Sequence, residues 1–172
     1  MTTLAPSQPL AAEAAPLDRP LYGATFGQSV SRFFRNYARF SGRASRSEFW
    51  WAYLFLSLLG GVLGFVLGIA LVFGLAAVLA AAVQGDSEAP GPFGVPALAT
   101  DLVVAVGAPI LVSLLLSLPL LLPWIAVTVR RLHDTNRSGW WYLLSLIPMA
   151  GYVVLVFTIL ESDPDGARFD AR

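Results

Sequence analysis

The chain carries one histidine, His133, next to Asp134, in the stretch Arg130-Arg131-Leu132-His133-Asp134-Thr135-Asn136-Arg137-Ser138-Gly139-Trp140-Trp141. An imidazole titrates near neutral pH and a carboxylate can orient it, so the pair offers general acid–base chemistry; at a membrane surface that would be hydrolysis or transfer on a lipid headgroup. Neighbours in sequence are not thereby hydrogen-bonded partners, however, and no nucleophile stands out in the motif. The alternative is structural: His133 and Asp134 pair with Arg130, Arg131 or Glu48, while Asn136 and Gly139 serve a turn. The structural role is the expectation, with no catalytic residue and no enzyme activity.

Cysteine is absent, which excludes disulfides, thiolate metal sites and cysteine nucleophiles. With a single histidine a conventional metal cluster is not expected either, and no cofactor is assigned. Net charge is zero, yet all 11 basic residues are arginine and they are unevenly placed.

The elements that must position these residues are membrane helices. The 172 residues are 56% hydrophobic and 13% charged with a mean hydropathy of +0.68, more apolar surface than a soluble core of this size can hide. Three runs almost free of charge, about Trp51–Val83, Ala97–Val129 and Trp140–Leu160, are long enough to cross a bilayer. The expected fold is an all-α membrane protein with three transmembrane helices, about 48–83, 97–130 and 139–160, preceded by an amphipathic interfacial helix, about 22–41. Residues 1–21 read as a disordered Ala/Pro-rich tail, 22–160 as the membrane domain and 161–172 as a polar C-terminal tail.

In the interfacial helix Phe26, Val30, Phe33, Tyr37 and Phe40 recur at spacings of three and four, with Arg32, Arg35 and Arg39 on other faces. Such a helix either lies in the headgroup layer or packs its aromatic ridge on the spans. Ser45-Arg46-Ser47-Glu48 supplies a capping box for the first span, and Glu48 has a second candidate role as ion-pair partner of an arginine. Gly60, Gly64 and Gly68 form a small-residue strip for helix packing, within the molecule or with a second copy.

The second run contains Pro109, Pro119 and Pro123, whose freed carbonyls, with Ser113, Ser117 and Thr128, would serve a transported solute. No charged residue lies centrally in any span, which argues against that alternative, a small-solute transporter or channel component. The first two runs are near 33 residues where about 20 suffice, so tilted helices or a hairpin protruding on the outer side are expected.

Eight of the 11 arginines flank the first span or separate the second from the third, whereas the Gln84–Pro96 loop has only acidic charge. The positive-inside rule then places the N-terminus and the His133 motif in the cytoplasm and, with three spans, the C-terminus outside. Trp50, Trp51, Trp124, Trp140 and Trp141 all fall near the cytoplasmic face. The expected interface to lipid or a partner is Arg43, Arg46, Glu48, Arg130, Arg131, His133, Asp134 and Arg137 with Trp50, Trp51, Trp140 and Trp141. Expected partners are membrane lipids and a homo-oligomer or another membrane or cytoplasmic protein, and no nucleic acid.

Two segments carry a family resemblance. Phe40-Ser41-Gly42-Arg43-Ala44-Ser45-Arg46-Ser47-Glu48-Phe49-Trp50-Trp51, then Val129 through Trp141, then Ile147-Pro148 and Gly151, resemble the bacterial inner-membrane family called domain of unknown function 805 over roughly Val30–Arg172. The segment Asp163–Phe169 looks like a degraded form of that family's Gly-Thr-Pro-Gly-Glu-Asn-Arg-Tyr ending. The resemblance implies a small integral protein of the bacterial cytoplasmic membrane, without an activity, substrate, cofactor or catalytic residues.

Overall fold

The computed structural model describes residues 16–84 and 97–170. The connection at 85–96, expected as the acidic outer loop, and residues 1–15 of the expected tail lie outside the described residues. Helix α1 covers Phe26–Arg35, α2 Arg46–Gln84 and α3 Ala97–Asp134. A 3-10 segment at Gly139–Leu146, helix α4 at Gly151–Ile159 and a 3-10 segment at Pro164–Phe169 follow. The chain divides into two compact units, one built from the chain up to Phe55 and from Leu121 onward, the other from Leu56–Leu120.

Helices α2 and α3, of 39 and 38 residues, are apolar enough to cross a membrane. At 1.5 Å per residue each is roughly 57 Å long, about twice the hydrocarbon core. Helix α3 runs through Pro109, Pro119 and Pro123 without interruption. Within the Leu56–Leu120 unit α2 meets α3 at Gly74, where an added Cβ would sit 3.1 Å from the Ala105 Cβ. Gly60, Gly64 and Gly68, by contrast, have nothing within 4 Å of an added Cβ among the described residues.

The expected third span is not one helix. Ile147 precedes Pro148, which disfavours helical backbone at position 147, and Ile147 is extended (φ −97°, ψ 122°) while Met149 takes φ 70°. The eight-residue 3-10 segment and the nine-residue α4 on either side of this break pack on each other. At about 16 and 14 Å, neither is long enough to cross a hydrocarbon core.

Helix α1 is also shorter than expected. It opens on a capping box, in which the Thr25 hydroxyl accepts from the Gln28 amide and Gln28 Oε1 accepts from the Thr25 amide, and it closes at Asn36. Its buried face is Ser29, Arg32, Phe33 and Asn36, so Arg32 points inward. Of the expected aromatic ridge only Phe33 is buried, and Phe26, Tyr37 and Phe40 stay exposed. Residues 16–21, expected to belong to the tail, are packed: Leu21 is buried, and the carbonyls of Pro16, Leu17, Asp18 and Arg19 accept hydrogen bonds from Arg32, Asn36, Arg43 and Arg32.

Candidate functional site

The unit formed by the chain ends holds nearly all the polar residues singled out above. The start of α2 is built as the capping box requires. The Glu48 amide donates to Ser45 Oγ at 3.2 Å and the Ser45 amide to Glu48 Oε2 at 2.9 Å. Glu48 also has the second role: it pairs with Arg32 of α1 and accepts from the Leu21 amide at 3.0 Å, with 3% of its side chain exposed. A buried carboxylate is tolerated only when such partners replace its water, and here two backbone amides and a guanidinium do so. Arg32 and Leu21 belong to this site through tertiary contacts that the capping-box pattern does not contain.

The two long motifs meet through their backbones, where the Ala44 amide donates to the Arg130 carbonyl at 3.0 Å. The Arg130 side chain is buried, its charge facing Glu48 alongside Arg32 and Arg39, and its Nε has no hydrogen-bond partner. Arg131 and Asp134, both fully buried, form a second ion pair one turn apart on α3. Arg131 also donates to the Thr158 carbonyl at 3.1 Å and to the Leu160 carbonyl, capping the end of α4. Asp134 accepts from Ser162 Oγ and, at 3.3 Å, from the Tyr22 hydroxyl, and its carbonyl accepts from the Asp163 amide at 2.8 Å.

His133 is not paired with Asp134. Its Nδ1 lies 3.1 Å from the Gly42 carbonyl, and its ring stacks on Phe169 with centroids 4.2 Å apart and planes 6° from parallel. Asn136 takes the left-handed conformation (φ 58°) that ends α3, a geometry asparagine tolerates. Gly139 is required by packing, since an added Cβ would lie 2.7 Å from Val129 Cγ1. Arg137 lies over the Phe157 ring at 3.8 Å.

The C-terminal segment closes the same site. The Gly42 amide donates to the Phe169 carbonyl at 2.9 Å, and Arg43 donates from two nitrogens to Asp170 at 2.8 and 2.7 Å. That pairing raises the affinity of Arg43 for its proton, the Asp170 hydrogen bond outweighing partial burial. Gly166 presses on α3, with an added Cβ 2.4 Å from the His133 carbonyl. Residues 163–170 therefore pack against Gly42, Arg43, His133 and Asp134 within this unit.

Of the expected interface arginines, Arg130 and Arg131 are buried, Arg43 is tied to Asp170, and Arg46 donates to the Leu160 carbonyl at 2.9 Å with Glu161 3.8 Å away. Among the described residues, Arg35, Arg39 and Arg168 are the arginines exposed on this unit besides Arg19. Trp50, Trp51 and Trp140 are exposed on it too, and Trp124 packs between Phe49 and Tyr53 at 5.4 and 6.0 Å. Among the described residues no group of three or more His, Cys, Asp or Glu side chains could hold a metal ion.

The chain is 32% identical over 136 residues to inner membrane protein YhaI of Escherichia coli strain K12, covering 78% of this chain and 86% of that protein. It is 53% identical over 49 residues to inner membrane protein YhaH of the same strain, covering 28% of this chain and only 40% of YhaH. No solved structure matches. The family model described as "Protein of unknown function (DUF805)" matches residues 37–171, from just after α1 through the C-terminal strap, and the chain belongs to that family of bacterial membrane proteins.

Proposed function

We propose that this protein is a non-catalytic integral membrane protein of the bacterial inner membrane with two crossing helices. On this reading its compact arginine- and tryptophan-rich unit sits at the cytoplasmic boundary, anchors α2 and α3, and holds anionic lipid headgroups through Arg35, Arg39 and Arg168. One observation carries the reading: the polar side chains of the two motifs are largely spent on one another. Glu48 and Asp134 each accept from several internal donors and His133 Nδ1 is bonded to a backbone carbonyl, so among the described residues of the motifs neither carboxylate is free to act as a base. The exposed arginines and the exposed Trp50, Trp51 and Trp140 remain for the membrane surface, where guanidinium groups pair with phosphate and indoles settle at headgroup level.

The transport alternative has less support, because two of the three hydroxyls that would line a path are bonded within their own helix, Ser117 to the Leu114 carbonyl at 2.9 Å and Thr128 to the Trp124 carbonyl at 2.8 Å. The lipid reading is tested in nanodiscs. Adding phosphatidylglycerol to phosphatidylcholine raises the unfolding midpoint of the wild type, and the triple variant R35Q/R39Q/R168Q loses that increment. A wild-type midpoint indifferent to phosphatidylglycerol contradicts it.

A further inference from the structure

A groove of about 520 Å³ opens beside the turn after α3, walled by Phe40, Ile125, Val129, Trp140, Tyr142 and Leu143. Among the described residues neither a carboxylate nor an arginine lines it, and its polar side chains are His133, Ser138 and Tyr142. The Gly42 carbonyl bonded to Nδ1 can only accept, so the proton of the neutral ring sits on Nδ1 and Nε2 carries a bare lone pair. Phe169, stacked at 4.2 Å, covers one face of the ring and fixes its plane. Nε2 lies 3.5 Å from where a Cβ at Gly139 would stand, and Gly139 lines the groove with His133, so the lack of a side chain there leaves room beside this nitrogen. Among the described residues Nε2 has no hydrogen-bond partner.

An acceptor held at the edge of an apolar, aromatic groove selects what can bind. A carboxylate or a phosphodiester has no proton to offer it. An ammonium would enter walls without a carboxylate, close enough to Arg168 for that arginine's charge to act on the ring. A neutral molecule with one hydroxyl and an apolar body satisfies both parts of the site, and the volume suits a small ligand. We propose that the groove binds a neutral hydroxyl-bearing amphiphile, its hydroxyl donating to His133 Nε2 and its apolar body lying against Trp140 and Phe40.

His133 is the only histidine, so its two nitrogens give isolated resonances in the full-length, 15N-histidine-labelled protein in micelles. Titration with para-hexylphenol is expected to move the Nε2 resonance and leave Nδ1 nearly still. By the binding isotherm the phenol is expected to bind about five- to tenfold more tightly than its methyl ether, which has the same body and no donor, as one neutral hydrogen bond allows. The His133→Phe variant keeps a ring for Phe169 and should bind phenol and ether equally, whereas Trp140→Ala, at an exposed position, should weaken both alike. An Nε2 resonance unmoved at saturation, or an ether that binds wild type as tightly as the phenol, overturns the proposal even if His133→Phe does not fold.

Discussion

Arg43 and Asp170, 127 positions apart, are joined by two parallel hydrogen bonds of 2.8 and 2.7 Å. This fork-to-carboxylate geometry ties the segment before the first membrane helix to the last described residue. With 15% and 22% of their side chains exposed, the two groups gain little net stability from pairing. Arg43→Gln is therefore expected to cost about 1 kcal/mol or less in unfolding free energy, and a loss several times larger would show that the pair holds more than itself together.

The Arg32–Glu48 pair is a different matter, because both groups are buried and Glu48 also receives the Leu21 and Ser45 amides. Glu48→Gln leaves a buried guanidinium without its counter-charge and is expected to destabilise the protein by about 3 kcal/mol or more. Removing both charges, in the Arg32→Met and Glu48→Gln double variant, should recover part of that loss. Thermal unfolding of the four proteins in detergent completes the cycle, and a double variant as unstable as the sum of the singles would refute direct pairing.

Arg131 bonds Asp134 and the Thr158 and Leu160 carbonyls, and so couples α3 to the end of α4. Lysine has one nitrogen in place of a planar fork and cannot make all three contacts. Arg131→Lys should loosen residues beyond Leu160 and speed limited proteolysis there. Cleavage at the wild-type rate would mean that Gly166 and Asp163 hold the segment alone.

Glycines separate structural need from sequence pattern. At Gly42, φ is 85° and an added Cβ would lie 2.4 Å from the Asp18 carbonyl oxygen, so Gly42→Ala should destabilise by about 2 kcal/mol or more. Gly64→Ala meets open space in mid-helix and is expected to be neutral or slightly stabilising in the monomer. Equal melting temperatures for the two variants would contradict this assignment.

Much of the fold was legible in the residues, and the failures have physical causes. Apolar runs found α2 and α3, and Ser45 with Glu48 found the helix start, because length and capping are local properties. The run Trp140–Leu160 passes the same composition test, yet Pro148 breaks it and its halves fold back on each other, a tertiary outcome that hydropathy does not encode. Arg32 read as a solvent-facing member of an amphipathic helix, and only the approach of α2 shows that it answers Glu48. The site was legible as a pair of motifs. Its third part, Phe169 and Asp170, lay in a segment read as a polar tail.

The central proposal is that the segment before α2, the turn after α3 and residues 161–170 share one membrane face, with two crossings between them. The cysteine-free chain makes sidedness directly measurable. Single cysteines replacing Arg35, Ser138, Asp165 and, in the 85–96 connection, Gly91 are labelled with a membrane-impermeant maleimide in intact and in permeabilised bacterial cells with the outer membrane opened. The account predicts that the first three react only after permeabilisation and Gly91 reacts without it. Labelling at position 165 in intact cells, with positions 35 and 138 protected, would contradict it and restore a third crossing.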